Sequence, residues 1–170
     1  MKIFLTNLGK YVEGELVGKW LKLPCTDEEL KAALRDIGIG KRYEEHFITD
    51  YETDLGLKIG EYESLNMLNE VAELISELGE SDLDLLKAVV ELESPEVADV
   101  FSIIDRLDEY TLYTDVHDDE DLGRHYVEEV GCYNLESMGK LAEYLDYEAF
   151  GRDIRLESDG GFTSLGWLER

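Results

Sequence analysis

A chain of 170 residues that is 44% hydrophobic and 10% aromatic carries too much apolar material to be a disordered acidic tail. Its formal charge of −25, from 41 acids against 16 bases, excludes binding to nucleic acid or anionic lipid through basic patches. No stretch approaches the ~20 apolar residues of a membrane span, and residues 1–11 lack the long apolar region of a signal peptide, so a soluble cytoplasmic protein is expected.

In chain order, residues 2–8 (KIFLTNL) read as a strand, followed by a glycine-containing loop over 9–18 and a second strand over 19–23, which Pro24 closes. Thr26-Asp-Glu-Glu29 has the form of a capping box, in which the Thr26 hydroxyl accepts from the Glu29 amide while the Glu29 carboxylate reaches back. The helix it opens places Leu30, Ala33, Leu34 and Ile37 on one face and ends at Gly38-Ile-Gly40. Residues 45–51 read as a third strand. Leu65, Leu68, Val71, Ala72, Ile75 and Leu78 then recur at helical spacing, so residues 64–78 read as a helix. Ser81 with Asp84 marks the start of the next, with Leu83, Leu86, Val89 and Val90 inward. Ser94-Pro95-Glu96 has the composition of a further helix start, continued by Val97, Val100, Phe101, Ile104 and Leu107. Residues 110–116 alternate as a strand, 118–129 and 137–150 read as helices, and 161–168 reads as one closing strand. The expected fold class is α+β. The expected modules are a small antiparallel sheet with one helix (1–61), an acidic helical middle (62–108) and an α+β module (109–170).

Charge is distributed unevenly over these modules. Residues 59–123 hold 20 Asp or Glu and two bases, Lys87 and Arg106, a net of −18. Residues 1–58 net −2 and residues 124–170 net −5. On the first middle helix Glu70, Glu73, Glu77 and Glu80 line the face opposite the leucines. A helix shaped for stability alone would place Lys four residues after Glu, gaining ~0.2–0.5 kcal/mol per pair. Here no lysine relieves them. Asp82, Asp84, Glu91, Glu93, Glu96, Asp99, Asp105, Asp108, Glu109 and Asp115 continue the pattern, which culminates in Asp118-Asp119-Glu120-Asp121 and extends to Glu128 and Glu129. One carboxylate per ~5.4 Å turn on two neighbouring helices gives a charge every ~3 Å, against one per ~1.7 Å of duplex DNA. These acids are therefore the candidate surface of a protein that imitates DNA. An ordinary solvated face, a halophilic adaptation and an acidic adaptor for another basic protein are the competing readings. The second predicts acid spread through every module, which the near balance of residues 1–58 contradicts.

Other chemistry finds little footing. A calcium loop starting at Asp118 would put Gly123 at its sixth and Glu129 at its twelfth position, but Leu122 falls on a ligand position and the segment has a helical pattern. His46, His117 and His125 have no partners at zinc spacing. No phosphate-binding glycine loop or nucleophile elbow occurs. Cys25 and Cys132 are far apart and in no metal spacing, so both are expected as free thiols. No enzyme, cofactor or metal is expected.

The motifs Asn7-Leu-Gly-Lys-Tyr11, Glu13-Gly-Glu-Leu-Val-Gly18, Trp20 and Leu23-Pro24 resemble the opening of the ArdA antirestriction proteins. Tyr43-Glu-Glu and Asp50-Tyr51-Glu52 resemble the family's next block. His125-Tyr-Val-Glu-Glu-Val-Gly131 and Tyr144-Leu-Asp-Tyr-Glu-Ala-Phe-Gly-Arg-Asp153 resemble its C-terminal blocks. The middle helices match in acidity and pattern only. The resemblance implies a DNA mimic carried by plasmids or conjugative elements. Such a protein has three small modules in an elongated line and pairs through the C-terminal one into a homodimer. It also implies a partner, the specificity and methyltransferase subunits of type I restriction–modification enzymes, with no direct binding of nucleic acid and no membrane.

Overall fold

The computed structural model describes residues 1–131 and 134–170, and these divide into two compact units. The fold is mixed α+β, as the sequence implies. The first unit comprises residues 1–83 and 94–104, the second residues 84–93 and 105–170.

In the first unit, strand β1 (Lys2–Asn7) lies between β2 (Gly18–Lys22) and β3 (His46–Glu52), antiparallel to both. Ile3 and Leu5 alternate onto one face and are fully buried there, with Leu21 and Leu23 also in the core. Helix α2 (Asp27–Asp36) begins at the predicted capping box: the Thr26 hydroxyl accepts from the Glu29 amide, and the Glu29 carboxylate accepts from the Thr26 amide at 2.8 Å. Helix α3 (Leu65–Glu77), capped by Ser64, buries Leu65, Leu68, Val71 and Ala72. Asn69 ties it to the β2–α2 junction, since its amide oxygen accepts from Cys25 N at 2.7 Å and its amide nitrogen donates to Cys25 O at 3.0 Å. Cys25 is a free thiol, as expected, and Cys132 lies outside the described residues.

Residues 9–18 are not all loop. Helix α1 (Leu8–Val12) forms because Asn7, the last residue of β1, also caps it by accepting from Lys10 N at 3.0 Å. A cap hidden at the end of a strand pattern escapes a reading by periodicity. Helix α4 (Glu80–Glu93) begins one residue before Ser81, which is therefore not its cap. The predicted helix start at Ser94 is also displaced. Ser94 has φ +48°, the left-handed turn that ends α4, whereas an N-cap needs extended backbone. Helix α5 (Asp99–Ile104) starts later and stops before Leu107.

In the second unit, strand β4 (Thr111–Tyr113), shorter than predicted, pairs with β6 (Gly166–Glu169), and β5 (Gly161–Thr163) pairs with the other edge of β6. The predicted single closing strand is thus a hairpin. It turns at Ser164-Leu165, and β6 opens at Gly166, where a Cβ would stand 2.2 Å from the Tyr113 carbonyl oxygen. Trp167, Leu122 and Val116 form the core, flanked by Tyr113, Tyr126, Ile154 and Phe162. Helix α6 (Asp119–Arg124) follows an Asp118 cap and continues through a wider π-type turn over His125–Glu129. The helix predicted over 137–150 is replaced by α7 (Leu135–Met138), a 3-10 stretch (Gly139–Tyr144) and α8 (Tyr147–Glu157), which Asp146 caps through Ala149 N. Leu141 and Tyr144 of the 3-10 stretch are 69% and 83% exposed.

Candidate functional site

Of the twenty candidate acids, seventeen are exposed, and Asp84, Asp119 and Asp121 are half-buried. Exposure alone does not separate a binding surface from an ordinary one, but the partners of the acids do.

Beyond residue 58, the first unit keeps its acids without cations. Residues 59–83 and 94–104 carry nine acids and no Lys or Arg. Among the described residues none of the nine, which include Glu70, Glu73, Glu77, Glu80, Asp82, Glu96 and Asp99, makes an ion pair. On α3, Glu70, Glu73 and Glu77 are exposed opposite the buried leucine face. Asp99 alone has a local role, accepting from Glu96 N at 3.1 Å. Within residues 1–58 the opposite holds. Lys2 pairs with Glu52 at 2.7 Å, Lys19 with Asp36 at 2.6 Å and Lys10 with Glu15 at 3.6 Å. The Lys19 ammonium bond holds the Asp36 carboxyl below its ordinary pKa, and the Thr26 amide does the same for Glu29.

The second unit puts most of its acids to structural use. Asp118 caps α6 by accepting from Asp121 N at 2.8 Å, and Asp121 accepts from His117 N at 3.1 Å. The Arg155 guanidinium on α8 grips both oxygens of Asp119, at 2.7 and 3.1 Å, and this bond holds the Asp119 carboxyl below the usual aspartate value. Arg124 pairs with Glu120 at 2.8 Å and Glu128 at 3.5 Å, and lies 4.4 Å from the Tyr147 ring centroid. Glu129 pairs with His125 at 3.0 Å, Glu109 with Arg170 at 2.8 Å, and Asp84 with Lys87 at 2.8 Å. Glu91 accepts from both the amide and the hydroxyl of Ser164, and Glu93 accepts from the Tyr110 hydroxyl. Glu169 accepts from the Tyr126 hydroxyl.

Arg155 can reach Asp119 because α6 and α8 cross almost backbone to backbone. A Cβ on Gly151 would lie 1.8 Å from the Asp119 carbonyl oxygen, and one on Gly123 would lie 2.0 Å from that of Tyr147. The glycine once considered for a calcium loop is therefore a helix-crossing residue. Beside it Leu112, Asp115, Asp121, Arg124, His125 and Glu128 help to line a cavity of about 420 Å³. Among the described residues no three His, Cys, Asp or Glu side chains are grouped to hold a metal ion. No helix of the described residues is long and apolar enough to cross a membrane.

The arrangement presents carboxylates. A family model described as Antirestriction protein (ArdA) matches residues 3–169, nearly the whole chain. The chain belongs to the ArdA antirestriction family. A search of curated proteins finds no match. Some residues of the blocks that carry the ArdA resemblance hold the scaffold, although most of the blocks' residues are exposed. Asn7 joins β1 to α1 and donates to the Ile37 carbonyl at 3.0 Å, and the C-terminal block is the end of the 3-10 stretch and most of α8, including Gly151. Sequence reasoning missed Asn69, Arg155 and the Gly123–Gly151 crossing. The last had half a signal, Gly123 in the middle of the predicted 118–129 helix, but Gly151 falls just past the end of the predicted 137–150 helix and nothing in sequence pairs the two.

Proposed function

We propose that this ArdA protein is a DNA mimic that occupies the DNA-binding groove of type I restriction–modification enzymes and so protects incoming mobile DNA in the cytoplasm. The observation that carries the reading is the solvent face of α3, where Glu70, Glu73 and Glu77 stand exposed with no cationic partner among the described residues. Folding gains nothing from that face, because like charges one turn apart repel slightly. A partner whose basic side chains normally meet phosphates would gain from it. Carboxylates take the place of phosphates, condensed ions are released, and encounter is steered at long range.

The module reading is retained within this proposal, with residues 62–108 as the main mimic and 109–170 as the pairing module of a homodimer. Val130, Leu141, Tyr144 and Leu156, exposed in that last stretch, are apolar side chains that such pairing would cover. Two chains of −25 would carry the charge of about 25 base pairs at two phosphates per pair.

The test is capture of a type I methyltransferase core, specificity and methyltransferase subunits together, with duplex DNA as competitor. DNA should displace the protein, and inhibition should weaken steeply as salt rises. An inhibition constant that stays flat between low and moderate salt would falsify the mechanism. Binding that DNA leaves untouched would identify an acidic adaptor instead.

A further inference from the structure

The sheet of the first unit has a second face that folding covers only in part, over Thr6 and Phe47. Because Ile3 and Leu5 of β1 point inward, pleating sends Phe4 to the other side. The strand register sets Phe4 beside Trp20 on β2 and Asp50 on β3. Phe4 and Trp20 meet edge-on with ring centroids 5.3 Å apart, and Tyr11 of α1 meets Phe47 of β3 in the same way at 5.2 Å. Gly18 leaves room for this arrangement, since a Cβ there would stand 2.4 Å from the Phe4 ring. The result is an open groove of about 500 Å³ walled by these four rings and Leu16. Its only charged lining residues are Asp50 and Glu61, and no base lines it. Phe47 is buried at the base of the groove, but Trp20 is 40% exposed, Tyr11 52% and Leu16 68%, so the rest of this surface is open.

A purely apolar occupant would have no use for the two carboxylates, and a hydrated ammonium little use for the rings. A guanidinium uses both. Its plane stacks on aromatic faces while its fork of N–H groups donates to carboxylates. We propose that this groove takes an arginine side chain of a protein partner. The identity of the partner rests on the DNA-mimic reading above, since a groove that binds phosphates is lined by such side chains. The groove adds a single stacked contact to an otherwise distributed field, and it lies in the unit whose first 58 residues are nearly neutral.

The full chain is titrated with N-acetyl-arginine amide and with N-acetyl-citrulline amide, which has the same shape and no charge, while the Trp20 indole N–H is followed by NMR. The buried Trp167 reports on the second unit, and the amide signals of the buried Ile3 and Leu5 report that the first is intact. The arginine probe should shift Trp20 saturably, and the citrulline probe should need about tenfold more. Asp50→Asn with Glu61→Gln keeps the rings and should abolish that preference, and Trp20→Ala should weaken binding followed on Tyr11. Equal binding of both probes, or of N-acetyl-leucine amide, overturns the proposal. The same variants are then assayed as inhibitors of the methyltransferase core. Weaker inhibition with the α3 acids intact supports a docked arginine. Unchanged inhibition by a variant that no longer binds the arginine probe overturns it. If the wild-type chain does not inhibit at all, the DNA-mimic reading fails, while the titration still decides whether the groove takes a guanidinium.

Discussion

Helices α3 and α6 are both dense in acid, and they use it in opposite ways. On α3 the glutamates stand exposed opposite a buried leucine face, and no cation meets them among the described residues. Around α6 one aspartate caps the helix, another accepts from the preceding loop, a third is gripped by Arg155 and the glutamates are shared with Arg124. Acid density alone is therefore a poor guide to function. An acid that holds the fold is unavailable to a partner in the geometry it now has, whereas an acid that holds nothing is free to serve one.

The sharpest way to break this contrast is at the helix crossing. Gly151→Ala places a methyl group against the Asp119 carbonyl and should cost about 3 kcal/mol in a urea melt, near the upper end for overpacking. A loss below about 1 kcal/mol would mean that α6 and α8 part easily, and the structural role given to the α6 acids would weaken with it. On the other side, replacing Glu70, Glu73 and Glu77 together by Gln should leave the melt unchanged or slightly raised. It should weaken inhibition of a type I enzyme about tenfold at low salt, with single replacements barely measurable. A single glutamate whose loss abolished inhibition would show a specific contact in place of a distributed field.

Asp119→Asn should cost about 1 kcal/mol of stability, the pair being partly solvated. It should not change inhibition in proportion. The same pair sets an acid limit. Because the folded Asp119 pKa lies below its unfolded value, the stability it contributes is fully present above the ordinary carboxylate range. That stability is lost as pH falls through the depressed value. Melts of Asp119→Asn and wild type should accordingly converge in acid, and an undiminished gap there would contradict the assignment. The smallest expected effect is that of Glu73→Gln alone, a gain of about 0.3 kcal/mol from relief of like charge, which added salt should erase in the wild type.

How far each element was legible follows from where its information lies. The Thr26 capping box, the face of α3 and the first three strands were readable because their signals are local: a hydroxyl and a carboxylate three residues apart, or apolar residues at a fixed period. The glycine-containing loop hid α1 because its cap, Asn7, belongs to a strand by pattern. Ser94 carries the composition of an N-cap but takes a left-handed backbone, because the chain must turn out of α4 there. Leu141 and Tyr144 have helical spacing but no core to meet.

By itself the sequence determined that the protein is α+β, strongly anionic and acidic in its middle, and its motifs pointed to the ArdA family. These are properties of composition and short-range order, and they survive whatever the long-range contacts turn out to be. Only the tertiary structure decided which acids are occupied. Arg155 is 36 residues from Asp119 and Ser164 is 73 from Glu91. A charge run shows how many carboxylates there are, but whether each finds a cation depends on which distant residue the fold brings within about 3 Å of it.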